Sequence, residues 1–136
     1  RYLLHKMAES RGLTIDMTPK PVKGDWNGSG CHTNFSDASM RDDGDKEYFV
    51  KYLDNLKERH SLHIANYGEN NAQRLTGDHE TQHISQFSFG VGDRGASIRI
   101  PNSVKKNGWH GYLEDRRPAS NCDPYRVARL ILEAQP

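Results

Sequence analysis

The chain has 136 residues, 34% hydrophobic and 27% charged, with 19 basic against 18 acidic side chains and a formal net charge of +1. That length admits one domain with a modest core, and the near-zero charge argues against the basic footprint of a nucleic-acid binder. No apolar run approaches the ~20 residues that cross a bilayer, and no stretch reads as a signal peptide.

In chain order, "RYLLHKMAES" predicts a helix over residues 1–11, with Tyr2, Leu3, Leu4 and Met7 toward one side and Gly12 ending it. "LTIDM" predicts a short strand, after which Pro19 and Pro21 break regular structure. "GDWNGSG" is a Gly-rich turn leading into a strand, "CHTNFS". The polar loop "RDDGD" precedes the longest helical pattern, Lys46 to about Tyr67, where Phe49, Leu53, Leu56, His60 and Ile64 recur at spacings of three and four. "RLTGDHETQ" has no clear period. "FSFGVGDRGASIRIP" predicts two strands around a Gly-Asp-Arg-Gly bend, and "GYLEDRR" a further strand. The last helix starts with Asp123 as N-cap and Pro124 at the first helical position. The mixture implies an α+β fold. An uncapped opening helix, a barely finished closing one and thin apolar content predict a piece of a larger protein. Cys31 and Cys122 lie outside any C-x-x-C spacing and read as reduced thiols in a cytoplasmic protein.

"HETQH", His79 to His83, fits the H-E-x-x-H pattern in which two histidines one helical turn apart hold zinc and the Glu acts as general base. Gly77 just before it, and the Thr, Ile and Ser residues within and after it, are poor or mediocre helix formers. No later His stands at the spacing of a third ligand. The surroundings therefore disfavour a zinc protease.

Strand alternation carries more information. His32, Asn34 and Ser36 share one face of "CHTNFS". Tyr112, Glu114 and Arg116 share one face of "GYLEDRR", with Leu113, Asp115 and Arg117 opposite. In "ASIRI", Ser97 and Arg99 oppose Ala96, Ile98 and Ile100. Pooled, these faces offer imidazole, carboxylate, guanidinium, hydroxyl and an aromatic ring, a set suited to a nucleotide with Mg²⁺ or Mn²⁺. Gly28 and Gly30 would let backbone approach a small polar ligand closely. Taken singly, each of these residues reads more readily as an ordinary surface or structural group; their joint parity favours a site.

"KPVKGDWNGSGCHTNFS" resembles the ATP-binding signature of the glutamine synthetase family, and "RLTGDHE", "RGASIRIP" and "GYLEDRRPASNCDPY" resemble its later motifs in the same order. The likeness covers nearly the whole chain and is nearest the eukaryotic-type members. It implies part of the family's catalytic domain, a curved antiparallel sheet with flanking helices, in an enzyme that phosphorylates the side-chain carboxylate of glutamate from ATP and then admits ammonia to give glutamine. By resemblance, His32 and Glu114 would ligate Mg²⁺ or Mn²⁺. Asn27, Gly28, His32, Arg74, Glu80 and Arg116 would bind glutamate. Ser36, Arg94, Arg99 and Tyr112 would hold ATP, and Glu80, Arg94 and Arg116 would be catalytic. Glu80 would ride on a flap that closes over glutamate. The family usually has Asn at Asp93; a carboxylate there would weaken the local positive field or bind Arg94. The resemblance also implies a small N-terminal β-grasp domain and upstream metal-binding Glu residues beyond these 136, no activity for this portion by itself, and a decamer of stacked rings for the whole protein. A related ligase joining glutamate to a bulkier amine, and a non-catalytic interaction or structural relative, remain the alternatives.

Overall fold

The computed structural model describes residues 1–136. Its centre is a sheet of four three-residue strands, β1 (Thr33–Phe35), β2 (Phe89–Val91), β3 (Ile98–Ile100) and β4 (Leu113–Asp115), in the spatial order β1-β4-β3-β2. β4 pairs antiparallel with both neighbours: Asn34 lies opposite Glu114, and Glu114 opposite Arg99. Paired residues project from the same face, so one row of side chains crosses the sheet from Asn34 through Glu114 to Arg99.

The expectation of an all-antiparallel sheet is corrected at one edge, because β2 runs parallel to β3. Parallel neighbours usually need a long crossover. Here each strand is only ~10 Å long, so the six residues 92–97 suffice to bring the chain back. Gly92, at φ +68°, turns it, and the Asp93 carboxylate accepts the Gly95 N–H at 2.8 Å.

Six helices flank the sheet: α1 (Tyr2–Glu9), α2 (Ala38–Asp42), α3 (Lys46–Glu58), α4 (His60–Asn66), α5 (Asn102–Lys106) and α6 (Pro124–Leu132). Capping follows side-chain chemistry. Asp37, Asp45 and Asp123 each accept a first-turn N–H of α2, α3 and α6, and Pro124 opens α6 where no donor is needed. The core forms where Phe49, Leu53 and Leu56 of α3 meet Ile98, Leu113 and Ile131.

Three expectations change. The long helix is split at Arg59 (φ −91°, ψ 9°), so α3 and α4 are separate elements. His63 and Tyr67 rather than His60 and Ile64 become fully buried. "LTIDM" is not a strand: nothing pairs with it, and the Asp16 carboxylate takes the Thr18 N–H at 2.8 Å, a local turn that competes with extension. The apolar side of α1 finds no cover within this chain, Leu3 being 71% exposed. No helix is long and apolar enough to cross a membrane, and both cysteines are free thiols.

Candidate active site

Sheet register delivers the central group. Continuing the β1–β4 pairing outward sets His32 beside Arg116 at one end and Ser36 beside Tyr112 at the other. His32 Nδ1 lies 3.1 Å from Glu114 Oε1, and Arg116 Nη1 reaches that same oxygen at 3.1 Å and His32 Nδ1 at 3.5 Å. Arg99 Nε bonds the other carboxylate oxygen. Burial, then the Arg116 charge, lowers the pKa of His32 despite Glu114 beside it. At neutral pH the imidazole is therefore uncharged and offers a lone pair.

Beside this group opens a cavity of about 390 Å³ with no hydrophobic lining residue. Arg74 and Arg116 meet there with His32, Asn27, Gly28 and Gly30, under a loop that contributes His79, Glu80 and Thr81. Arg74 is held rigidly. Its Nη2 donates to the carbonyls of Arg116, Arg117 and Pro118 at 3.1, 2.7 and 3.1 Å, and its Nε to Asn71 Oδ1 at 3.2 Å. Burial, then the Arg116 charge, brings its pKa down to about 10, so it stays cationic; no carboxylate pairs with it, and Arg116 shares Glu114 with Arg99. Arg116 Nε is buried with no partner. Close approach here requires glycine: a Cβ on Gly28 would fall 2.3 Å from Arg74 Cγ and 2.7 Å from the Pro19 carbonyl, and one on Gly30 2.9 Å from Arg74 Nη1.

The loop over the cavity settles the meaning of "HETQH". His79 and Glu80 both adopt left-handed backbone, at φ +52° and +58°, so no helix carries His79 and His83 as a metal-binding pair. His79 instead pairs with Asp25 at 3.1 Å, and His83 with Ser85 at 2.8 Å. Two consecutive non-glycine residues in this region cost of order 1–3 kcal/mol each and persist where surroundings impose them. Here Arg116 Nη2 donates to the Glu80 carbonyl at 3.3 Å and Thr81 Oγ1 to the Arg74 carbonyl at 3.2 Å.

The remaining candidates are distributed unevenly. Asn27, Gly28, His32, Arg74, Glu80 and Arg116 share the cavity, with Glu114 behind His32 and Arg116. Arg94 stands at the rim, 3.6 Å from Glu80 Oε1. Asp93 does not bind Arg94, since its carboxylate closes the turn on Gly95. Ser36, bonded by Arg41 at 2.9 Å, and Tyr112 lie farther along the same sheet face, away from the cavity. Sequence reasoning missed Thr81, Asp25 and Asn71. Thr81 follows the strained pair in a stretch without a period, Asp25 acts through His79, distant in sequence, and Asn71 ties Arg74, three residues on, to the Arg117 carbonyl far along the chain. Nowhere do three or more His, Cys, Asp or Glu side chains gather closely enough to hold a metal ion. His32 and Glu114, two side chains of metal-ligating type, meet at one corner.

The comparisons with known proteins agree in direction. The family model described as "Glutamine synthetase, catalytic domain" matches residues 1–135. The chain is 57% identical over 133 residues to the glutamine synthetase of Agaricus bisporus, covering 98% of this chain and 37% of that protein. It is 56% identical over 133 residues to that of Suillus bovinus, with the same two shares. It is also 56% identical over 133 residues to the chloroplastic glutamine synthetase of Brassica napus, covering 98% of this chain and 31% of that one. The chain thus spans roughly a third of the length of the curated relatives it matches. A family match from the first residue to the penultimate one leaves a single conclusion: the chain belongs to the glutamine synthetase family and is a portion of its catalytic domain.

Proposed function

We propose that the whole protein joins ammonia to the side-chain carboxylate of glutamate at the cost of ATP, through a γ-glutamyl phosphate, and that this chain builds the glutamate pocket and one corner of the phosphoryl-transfer site. The observation that carries the reading is the convergence of His32, Glu114 and Arg116 beside a polar cavity holding Arg74. Arg74, which no carboxylate pairs, and Arg116, which shares Glu114 with Arg99 and leaves its Nε unpartnered, suit a ligand with two carboxylates. In this reading Arg74 takes the α-carboxylate through its Nη1, which makes no hydrogen bond within the chain. Asn27 and the Gly28 backbone meet the amino end.

The donor chemistry at His32 and Glu114 fits a divalent ion of the Mg²⁺ or Mn²⁺ kind, which uses one or two protein groups and takes its other ligands from phosphate and water. The neutral His32 imidazole and the Glu114 carboxylate would hold it, and it would supply charge stabilisation to the transferring phosphoryl group. Arg99 and Arg116, now on Glu114, are placed to turn toward phosphate oxygens as charge develops there. Arg94 approaches from the rim, and Ser36 and Tyr112 extend the face for the nucleotide. The γ-carboxylate oxygen attacks the terminal phosphorus and ADP leaves; ammonia then attacks the acyl carbon and phosphate leaves. Glu80, carried over the cavity by its strained loop, shields the acyl phosphate from water during the interval.

The assay is glutamine and phosphate formation from glutamate, ATP and ammonia by the whole protein, run beside simple alkyl amines. Preference for an alkyl amine, or absence of metal-dependent ATP binding by calorimetry, would overturn the reading. Glu80→Ala should retain ADP release while forming about tenfold less glutamine per ADP; an unchanged ratio removes the shielding role. We also expect a cytoplasmic decamer of stacked rings, which light scattering on the whole protein tests.

A further inference from the structure

His60, the first residue of α4, lies behind the sheet yet touches the root of the loop that carries Glu80. Arg117 Nη1 donates to its Nδ1 at 3.2 Å, so Nδ1 holds the lone pair and Nε2 the proton. Nε2–H then donates to the carbonyl of Ile84 at 2.9 Å. Ile84 is the C-terminal post of the loop: its N–H donates to the Leu75 carbonyl at 2.9 Å and closes the neck. The N-terminal post is locked by the bonds of the Arg74 side chain, described above. The C-terminal post has His60.

Arg117 gives His60 a rigid backing. Asp115 holds it through bonds of 2.9 and 2.7 Å, and the rings of Tyr67 and Phe87 each lie 5.3 Å from its guanidinium carbon. Phe87 also packs edge-on against the imidazole, at 5.7 Å between centroids. Beneath the loop only about 10 Å³ stays open, bounded by His60, Ile84, Glu80, Thr81, Arg116 and Arg117. That is room for about one water, so little space separates Ile84 from Thr81 and Glu80, and a shift of Ile84 bears on the loop.

We propose that His60 is a positioning residue which, by holding the Ile84 carbonyl through Nε2–H, sets where the loop carries Glu80 over the cavity. The consequence for chemistry rests on the function proposed above; the mechanical link to the loop does not.

Two substitutions separate the two ring nitrogens. His60→Asn keeps an acceptor near Nδ1 and loses the donor at Nε2, whereas His60→Gln keeps the donor and loses the acceptor. In the whole protein, hydrogen exchange over residues 76–83 and glutamine formed per ADP are measured for both. His60→Asn is expected to exchange about fivefold faster there, the factor set by one net hydrogen bond, and to form less glutamine per ADP. His60→Gln is expected to match the parent in both. A merely structural role would lower the melting temperature of either variant and leave the product ratio alone. Unchanged loop exchange in His60→Asn overturns the proposal, as does faster exchange with an unchanged product ratio. Should His60→Asn not fold, faster loop exchange in His60→Gln overturns it and parent-like exchange supports it. If the parent makes no glutamine, the proposed function falls, and the exchange measurement by itself decides the role of His60.

Discussion

Glu114 carries three partners on two oxygens, Arg99 on one and Arg116 with His32 on the other. Glu114 is itself only 6% exposed; truncation to alanine would leave two guanidiniums facing each other, and breaking a buried pair in this way costs about 3–5 kcal/mol. Loss of activity in Glu114→Ala would then confuse folding with chemistry. Glu114→Gln keeps the volume and should retain a cooperative melting transition while cutting ADP release by roughly 100-fold or more; a rate within threefold of the parent would remove Glu114 from the machinery. Gly28 poses the opposite problem, an atom too many. Its added Cβ would meet Arg74 Cγ at 2.3 Å and a backbone oxygen at 2.7 Å, and neither can retreat because Arg74 is tied to three carbonyls. Gly28→Ala is expected to destabilise by about 1–3 kcal/mol and to raise the KM for glutamate more than that for ATP, read from thermal melting and initial rates.

β4 serves two environments at once. Its Glu114 face, continued by Arg116, looks into the site; its Asp115 face, continued by Arg117, is sealed against α4. There Tyr67 donates to Asp115 at 2.9 Å and Arg117 to His63 Nδ1 at 3.0 Å. Burial, then the Arg117 charge, brings the pKa of His63 down to about 4, and burial lowers that of His60 as well. Arg117 and its hydrogen bonds hold the Asp115 carboxyl below its ordinary range against the opposing effect of burial. All three shifts act in one direction. The stability tied to the two histidines is complete above pH 6.5, where unfolded histidine is neutral, and is lost as pH falls toward 4, by roughly 3 kcal/mol for His63; that tied to Asp115 is lost only below pH 3.8. Chemical denaturation at pH 7.5, 5.5 and 4.5 checks this; a flat profile would mean that His63 is protonated in the folded protein.

Across the whole molecule the site is one-sided. The two side chains of metal-ligating type, His32 and Glu114, meet at one corner, the polar cavity opens outward, and the chain accounts for 37% of the length of its Agaricus bisporus relative. In the proposed reading His32 and Glu114 can hold one ion, and a phosphoryl-transfer site that uses a second ion needs further carboxylates. The 136 residues produced as a separate polypeptide are therefore expected to form no glutamine from glutamate, ATP and ammonia. Glutamine formation by that polypeptide would show that these residues hold a complete site.

Much of the site was legible because strand alternation is a local rule. His32, Asn34 and Ser36 are exposed while Cys31, Thr33 and Phe35 are half-buried, and the same rule put Glu114 and Arg116 on one face of β4. Local chemistry likewise sufficed for the α6 cap at Asp123 and Pro124. Four ordered motifs marked the family without any coordinates. Only the tertiary structure decided that β2 runs parallel to β3, that "LTIDM" stays unpaired, that His79 and Glu80 are forced into left-handed backbone, and that Arg117 joins His60 and His63 into a buttress. The parallel edge, the forced loop and the buttress each depend on a partner elsewhere in the chain, such as His63, 54 residues before Arg117, and contacts at that separation leave no trace in the periodicity of either segment.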